Sequence, residues 1–231
     1  MSSRVTETVE HRFLATTSSG DVSSVLVRPP DARALYVFAH GAGAGIRHAF
    51  MEAVAERLAG AGVASFRYNF PYTEAGRGAP NPAPVLKKTV RSAVAEAARL
   101  APGLPLFAGG KSMGGRMTSS AAAEEPLPGV LGLAFFGFPL HAPSRASAAR
   151  GAHLTDVRLP MLFLQGTRDK LADLDLLRPL LAGVRPPPSL HVVEGADHGF
   201  HVLKRSGRTD DDVLDELCAT FATWSEDVAR G

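Results

Sequence analysis

The chain has 231 residues and a mass of 24.3 kDa, which suits one domain built around a large core. Its 45% hydrophobic and 21% charged residues are ordinary for globular proteins and exclude a disordered or fibrous chain. The net charge of +2, with basic residues scattered along the chain, gives no support to nucleic acid as a partner. Residues 1–231 are therefore predicted to form a single domain.

The N-terminal stretch MSSRVTETVEHR lacks the apolar segment of a secretory signal peptide. No run elsewhere in the chain approaches the ~18 apolar residues that a membrane span needs. We therefore expect a cytoplasmic protein without a membrane partner. For its assembly we expect a monomer or a homodimer.

An N-terminal hairpin is followed by an alternation of strand and helix patterns. Apolar, β-branched runs predict strands buried on both faces, and longer runs with helical spacing separate them. This order predicts an α/β fold with a mainly parallel, doubly wound sheet and an N-terminal antiparallel hairpin. Strands are predicted over Ser23–Arg28, Ala34–Ala39, Val63–Arg67, Leu104–Gly109, Val130–Phe136, Pro160–Gln165 and Leu190–Val193. Helices are predicted over His48–Ala59, Val85–Leu100, Met113–Ala123, Ala172–Leu181 and Asp211–Val228.

The stretch LFAGGKSMGGRM, residues 106–117, has two interpretations. Gly-Lys-Ser ends a phosphate-binding loop, but such a loop needs a glycine at position 105, where this chain has Pro105. The Gly-x-Ser-x-Gly pattern around Ser112 lies between a predicted strand and a predicted helix, which is the setting of a nucleophile elbow. Ser112 is therefore predicted to be a nucleophile, and a Gly- and Ser-rich turn without chemistry is the alternative.

A serine nucleophile needs a histidine base and a carboxylate that orients the base. Asp169 follows the predicted strand MLFLQ, and His198 follows LHVVEG. The chain order Ser112, Asp169, His198 is the order found in enzymes with this elbow. Each residue lies just past the carboxyl end of a strand, where open α/β sheets bind ligands. These three residues are the predicted catalytic set.

Other acids and another histidine compete for these roles. Asp173 and Asp175 fall within a predicted helix and Asp197 is adjacent to the histidine, so each is expected to be solvated or to act as a cap. His201 lies further into the segment before the last helix. We expect it to be structural.

An oxyanion hole is expected from the N–H after the nucleophile and from an N–H in the loop after an earlier strand. Met113 supplies the first, and Ala42, in the small-residue loop HGAGAG after ALYVFA, supplies the second. This loop also resembles a dinucleotide-binding turn, but Ile46 replaces the last glycine of that fingerprint. No cofactor is therefore expected. Lys111 is expected to point away from the reacting atoms.

Two further features have both a structural and a chemical interpretation. The segment TDDDVLDE, residues 209–216, has the composition of a cation site, but acidic residues in the first turn of a helix also complement its dipole. We favour the helix start, and no metal site is predicted. Cys218, the single cysteine, lies in an apolar helical pattern and is predicted to be buried rather than reactive.

With these pieces in this order, the sequence resembles the α/β-hydrolase superfamily over almost its whole length, and within it the dienelactone-hydrolase-like enzymes. FRYNFPY with the following GRG, GGKSMGGRM, FPLHAPS and FLQGTRD are similar to a subgroup of hydrolase-like domains that includes a regulatory subunit of the nonspecific-lethal chromatin complex. The resemblance implies a serine hydrolase fold with Ser112 as nucleophile, Asp169 as orienting acid and His198 as base. Some members of the subgroup are thought to be scaffolds, and dienelactone hydrolases proper have a cysteine nucleophile.

About twenty residues connect the strand that ends near Phe138 with the strand that starts at Pro160, a length too short for a separate lid domain. The substrate pocket is therefore expected to be shallow, with Tyr72 and Phe138 as substrate contacts. Core packing of these rings is the alternative. The other residues predicted to bound the pocket are Phe70, Pro71, Pro139 and His141.

The function predicted from the sequence is hydrolysis of a small carboxylic ester by a Ser-His-Asp triad. A scaffold of this fold with little or no turnover is one alternative. Thioester or peptide cleavage by the same triad is another, because loops rather than the triad select the acceptor and the leaving group.

Overall fold

The computed structural model describes residues 5–231. The expected absence of a signal peptide concerns in part residues 1–4, which lie outside this range. Within residues 5–231, eight strands form one sheet. The strands are β1 (Glu7–Thr16), β2 (Gly20–Arg28), β3 (Ala34–Ala39), β4 (Val63–Tyr68), β5 (Leu106–Lys111), β6 (Val130–Phe136), β7 (Met161–Gly166) and β8 (Ser189–Val193).

The sheet has the order β1-β2-β4-β3-β5-β6-β7-β8. β1 pairs antiparallel with β2 and β2 pairs antiparallel with β4, while all later neighbours are parallel. The residues of β3, β4 and β7 are buried along their whole length, as expected of strands covered on both faces. The predicted N-terminal hairpin and mainly parallel sheet are confirmed, and no separate lid domain is found within residues 5–231.

Helices cover both faces of the sheet. The α-helices are α1 (Ala49–Gly60), α2 (Pro71–Glu74), α3 (Ala83–Leu100), α4 (Met113–Glu124), α5 (Leu174–Ala182) and α6 (Asp210–Arg230), and 3₁₀ helices span Ala149–Asp156 and Lys204–Ser206. On one face α1 and α6 pack together, and on the other α3, α4 and α5 pack over the sheet. None of the described helices is both long and apolar enough to cross a lipid bilayer.

Each face of the sheet has its own apolar core. Under α1 and α6, residues such as Val54 and Phe221 pack against one side of the sheet, and under α3 and α4, residues such as Val90 and Met117 pack against the other. Burial of this apolar surface provides the main driving force for folding. Cys218 lies in the first of these cores and is 2% exposed, as predicted.

Two helix starts show how short polar side chains set the boundaries. Helix α5 begins later than predicted, because the Asp173 side chain accepts from the Asp175 N–H at 2.8 Å and caps the helix. At α6, Thr209 and Asp212 form a reciprocal capping box. The acidic run of residues 209–216 therefore starts a helix, in agreement with the favoured interpretation.

Candidate active site

Three loops that carry predicted site residues meet at the carboxyl edge of the sheet. Ser112 follows β5, which lies between β3 and β6, Asp169 follows β7, and His198 follows β8. Because parallel strands place their carboxyl ends at the same edge, side chains from these loops converge there.

Ser112 lies in a strained turn between β5 and α4. Its φ of 51° and ψ of −118° fall outside the regions that non-glycine residues favour, so the surrounding structure must hold this conformation. A Cβ on Gly110 would lie 2.4 Å from the Ala39 carbonyl oxygen, and one on Gly114 would lie 2.5 Å from the same oxygen. Both positions therefore require glycine for strand and helix to approach so closely.

Ser112, His198 and Asp169 form a chain of hydrogen bonds. His198 Nε2 lies 2.8 Å from Ser112 Oγ, and His198 Nδ1 lies 2.7 Å from Asp169 Oδ2. A carboxylate only accepts hydrogen bonds, so the ring proton sits on Nδ1 and Nε2 accepts from the serine hydroxyl. The structure thus brings together the three residues that the sequence predicted as a set.

The Asp169 carboxylate is buried and held from several directions. Its side chain is 0% exposed, Oδ1 accepts from the Leu171 N–H at 2.7 Å, and Oδ2 accepts from Gln165 Nε2 at 2.5 Å. Gln165, in turn, accepts from the Phe138 N–H at 3.0 Å. Gln165 was not among the residues predicted from the sequence, although a polar residue at the end of an otherwise apolar buried strand is a usable signal.

The competing acids and the second histidine have other partners. Asp197 Oδ1 accepts from the N–H groups of Gly199 at 2.8 Å and His201 at 3.0 Å, which holds the turn containing His198. His201 Nδ1 lies 2.7 Å from Asp210 Oδ2 at the start of α6. None of these contacts reaches Ser112.

The two predicted oxyanion donors lie near Ser112, since Met113 follows it in the chain and Ala42 lines the same cavity. Met113 is the first residue of α4, where backbone N–H groups have no partner within the helix. Ala42 lies in the loop after β3, and a Cβ on the adjacent Gly41 would be only 3.6 Å from Ser112 Cβ. Within residues 5–231 neither N–H donates a backbone hydrogen bond.

A buried histidine that sequence analysis did not single out fixes the start of the Ala42 loop. His40 is 0% exposed, its Nδ1 lies 2.8 Å from the Gly41 carbonyl oxygen, and its Nε2 accepts from the Phe70 N–H at 3.1 Å. Burial lowers the pKa of His40 to about 4. The ring is therefore neutral at pH 7 and uses both nitrogens to hold the backbone.

Side chains from the end of β4 and from the segment after it hold the far end of the same loop. Arg67 Nη1 donates to the Ile46 carbonyl at 2.7 Å, and Asn69 Oδ1 accepts from the Ile46 N–H at 3.1 Å. The Thr73 hydroxyl donates to the Ala44 carbonyl at 3.3 Å. These bonds leave the short stretch around Ala42 anchored on both sides.

Glu74 connects this anchor to the N-terminal hairpin. It accepts from Asn69 Nδ2 at 3.0 Å, from the Ser23 hydroxyl at 2.8 Å and from Arg12 Nη1 at 2.7 Å. Partial burial alone would raise the pKa of Glu74, but the hydrogen bonds outweigh it and lower the pKa to about 2. Glu74 is therefore ionised at neutral pH. Its carboxylate orients the Asn69 amide.

A cavity of about 570 Å³ opens beside Ser112 and His198. Its walls come from the loops after β3, β7 and β8, the first turns of α1 and the start of α6. They are largely apolar, with Ala44, Phe50, Leu171, Phe200 and Leu214 among the lining residues, and His48, His201 and Asp210 add polar groups.

The two predicted substrate contacts do not line this cavity. Tyr72 is 2% exposed and Phe138 is 0% exposed. Phe138 packs edge to face against Phe135 and Phe163, and Tyr72 stacks on Phe70. Large apolar rings gain most from such burial, so the structure places both in the core, and the wall of the cavity comes from α1 and the loop after β8 instead.

Lys111 does not point away from the site, contrary to the sequence-based expectation. It lines the cavity, and its Nζ donates a hydrogen bond to the carbonyl oxygen of His198. Burial lowers the pKa of Lys111 to about 8. The side chain extends from the last residue of β5 toward the loop after β8, where the His198 carbonyl supplies an acceptor for the buried amine.

Comparisons with known proteins agree with this architecture. A family model described as an alpha/beta hydrolase domain matches residues 32–226. Among solved structures, a dienelactone hydrolase from Anabaena variabilis has a TM-score of 0.72 at 21% identity, covering 95% of this chain and 96% of that one. A lidless a/b serine hydrolase from Xanthomonas campestris has a TM-score of 0.72 at 19% identity, with 94% and 95% covered. The esterase domain of a Rhodothermus marinus protein has a TM-score of 0.70 at 17% identity, with 95% and 98% covered.

Proposed function

The chain belongs to the alpha/beta hydrolase domain family, and from this premise we propose that it is a serine hydrolase that cleaves small carboxylic esters through Ser112, His198 and Asp169. One observation carries the proposal. Ser112 Oγ lies 2.8 Å from one nitrogen of His198, while the other nitrogen lies 2.7 Å from the buried Asp169 carboxylate. This is the arrangement in which a weakly nucleophilic hydroxyl becomes reactive.

In the first half of the reaction, His198 Nε2 takes the hydroxyl proton as Ser112 Oγ attacks the ester carbonyl carbon. The carbonyl oxygen becomes an oxyanion, and the N–H groups of Met113 and Ala42 are proposed to bind it. His198 then gives the proton to the alcohol oxygen as the carbon–oxygen bond of the ester breaks. An acyl group remains on Ser112.

In the second half, water replaces the alcohol. His198 takes a proton from the water, the resulting hydroxide attacks the acyl carbonyl, and Ser112 leaves with the proton returned to its oxygen. Asp169 holds the ring tautomer and stabilises the imidazolium that forms in each half. The protein's own groups supply the nucleophile, the base and the oxyanion donors for both steps.

The cavity supports a small acyl group. About 570 Å³ lies within the usual range of small-molecule sites, and its apolar wall suits a short hydrocarbon chain better than a charged one. The names of the solved neighbours, which include esterases and a lidless serine hydrolase, support an ester as the substrate. Acyl chains longer than about eight carbons are expected to be poor substrates.

A scaffold without turnover is the competing function. It is favoured by the resemblance to the hydrolase-like domain of a chromatin-complex subunit, which stays a prediction from the sequence. The hydrogen-bonded set at Ser112 favours activity, because a scaffold has no need to hold a strained serine beside a histidine. A cytoplasmic location and a monomeric or dimeric state also stay predictions from the sequence.

Activity-based labelling separates the two functions. The wild-type chain and the Ser112→Ala variant are treated with a fluorophosphonate probe and assayed with p-nitrophenyl esters graded by acyl length. We expect labelling at Ser112 and loss of hydrolysis on the order of 10⁶-fold in the variant. Ser18→Ala, which removes an exposed serine in the hairpin turn, is the matched control.

The outcomes are distinct. An unlabelled wild-type chain supports the scaffold, and hydrolysis that persists in Ser112→Ala shows that another group carries the reaction. A thioester and a peptide substrate in the same panel test whether the leaving group is an alcohol, a thiol or an amine.

A further inference from the structure

We propose that Lys111 is a positioning residue of this site. Its ammonium group holds the loop after β8 that carries His198, here called the His198 loop, in place for proton transfer from Ser112. The inference rests on the proposed function, because it assigns a role within that reaction. Lys111 is the residue directly before Ser112. One short piece of backbone therefore carries the nucleophile and also, through the lysine side chain, the anchor for the base.

The contacts of Lys111 Nζ lead to this role. Nζ donates to the His198 carbonyl oxygen and lies 5.5 Å from the centre of the Phe50 ring and 5.2 Å from the centre of the Phe200 ring. The two rings stack at 6.0 Å with an interplanar angle of 15°. An ammonium within about 6 Å of an aromatic face is attracted to it, so α1, the elbow and the His198 loop meet at one charge.

The ammonium also lies close to the reacting imidazole. A Cβ built on Gly137 would be 3.0 Å from Lys111 Nζ and 3.4 Å from His198 Nδ1. Nζ is therefore no more than roughly 6.4 Å from His198 Nδ1. The lysine therefore lies beside the imidazole whose other nitrogen contacts Ser112.

The His198 loop needs such an anchor because its backbone is strained. Phe200 has a φ of 68°, a left-handed conformation that is uncommon for a large side chain. Strain of this kind persists only when neighbouring groups hold the conformation in place. The buried Phe200 ring, stacked on Phe50 and covered by Lys111, provides that restraint on one side, and the Asp197 side chain provides it on the other.

Lys111 keeps its charge at neutral pH despite its surroundings. Burial lowers its pKa to about 8, and the charges of Asp169 and Asp197, which face it from the loops after β7 and β8, act in the opposite direction. The other titratable groups that line the same cavity are His48, His201 and Asp210. Within residues 5–231 no carboxylate lies within ion-pair distance of Nζ. The amine therefore begins to lose its proton at mildly alkaline pH, and its hydrogen bond to the His198 carbonyl then loses its charge assistance.

The test compares Lys111→Met, which removes the ammonium, with Lys111→Arg, which keeps a charge and several donors. Lys88→Met, at an exposed position of α3, is the control. We expect Lys111→Met to lower kcat by about tenfold to a hundredfold, since misplacing a catalytic group by an ångström has effects of this size. KM is expected to change little, and Lys111→Arg should recover part of kcat.

A pH profile separates positioning from a merely structural role. The wild-type rate of fluorophosphonate labelling should decline above about pH 8 as Lys111 loses its proton, and Lys111→Arg should lack this decline because a guanidinium keeps its charge. Thermal unfolding shows which variants are folded. If Lys111→Met does not fold, the profile of Lys111→Arg alone decides.

The failure of this inference differs from the failure of the proposed function. If the wild-type chain is labelled at Ser112 and folded Lys111→Met keeps the wild-type kcat, the role of Lys111 is wrong and the hydrolase stands. An alkaline decline that persists in Lys111→Arg also contradicts the role. If the wild-type chain is neither labelled nor active, both proposals fail together.

Discussion

Two histidine–carboxylate pairs lie near the same cavity and have the same nitrogen–oxygen distance. His198 Nδ1 is 2.7 Å from Asp169, and His201 Nδ1 is 2.7 Å from Asp210. Their surroundings differ. The side chains of the first pair are 26% and 0% exposed, whereas those of the second are 71% and 48% exposed.

The difference shows that a hydrogen-bond distance does not by itself define a catalytic pair. Asp169 is shielded from water and accepts a hydrogen bond from Gln165. Solvent therefore does not screen the electrostatic attraction between its carboxylate and the imidazole. Water screens the Asp210 carboxylate, and an exposed pair of this kind contributes little. Only His198 has a hydroxyl on its other nitrogen. Burial of the acid and a third partner for the ring therefore distinguish the two.

Removing each histidine should give the largest contrast. His198→Ala deletes the base and is expected to lower kcat by about 10⁵- to 10⁶-fold, as in other serine triads. His201→Ala removes a side chain that lies at the cavity rim and should change kcat by no more than a few-fold. Steady-state hydrolysis of a p-nitrophenyl ester measures both, and similar losses in the two variants would overturn the distinction.

Removing the charge of each carboxylate should give the next largest contrast. Asp169→Asn is expected to lower kcat by about 10⁴-fold, because an amide in place of the carboxylate favours the wrong imidazole tautomer. Asp210→Asn should leave kcat within a few-fold of wild type. The same ester assay and the rate of fluorophosphonate labelling check this. A mild effect at Asp169 would show that another group orients His198.

A third change removes a hydrogen bond that supports the buried pair of His198 and Asp169. Gln165→Met keeps the volume of the side chain but removes the donor to Asp169 and the acceptor for the Phe138 N–H. We expect kcat to fall about tenfold, and the free energy of unfolding to fall by about 1–3 kcal/mol for the unpaired buried N–H. Enzyme assays and urea unfolding measure the two effects. Unchanged kcat with reduced stability would limit Gln165 to a structural role.

The smallest effect concerns the exposed pair and pH. The hydrogen bond to Asp210 raises the pKa of His201 above 6.5, and the hydrogen bond from His201 lowers the pKa of Asp210 below 3.8. The pair therefore stabilises the fold fully between these two ordinary values. That contribution is lost as the pH rises through the raised pKa of His201, and it is also lost as the pH falls through the lowered pKa of Asp210.

Asp210→Asn should accordingly lower the Tm by about 1–2 °C more at pH 5.5 than at pH 9, since exposed pairs contribute less than about 1 kcal/mol. Asp211→Asn is the control, because its partner Arg57 keeps its charge at both pH values. Differential scanning calorimetry measures the change. A difference that does not depend on pH would assign the effect to the helix start alone.

The sequence predicted most of the fold and the central residues of the site, because both have local signals. Buried strands are read from short apolar runs, and the predicted Ala34–Ala39 and Val130–Phe136 agree with the observed strands. Ser112, Asp169 and His198 each follow a strand, in turns whose glycines and order along the chain could be recognised. The structure brings their side chains together.

The walls of the cavity could not be predicted in the same way. Tyr72 and Phe138 follow strands just as pocket residues do, and an aromatic ring looks the same in the sequence whether it faces a cavity or the core. Phe50 and Phe200 line the cavity only because α1 and the loop after β8 pack together. Lys111 donates to the carbonyl oxygen of His198, which is distant in the chain. No local sequence pattern indicates such a contact.

The burial of Cys218 allows the reactivity of a cysteine placed at the elbow to be measured by alkylation. Cys218 is the single cysteine of the chain, and burial raises its pKa to about 12. It should therefore not react with alkylating reagents in the folded protein. A Ser112→Cys variant would then carry one reactive sulfur, placed beside the His198 ring. The rate of iodoacetamide alkylation would report on that single pair of atoms without background and in the absence of any substrate.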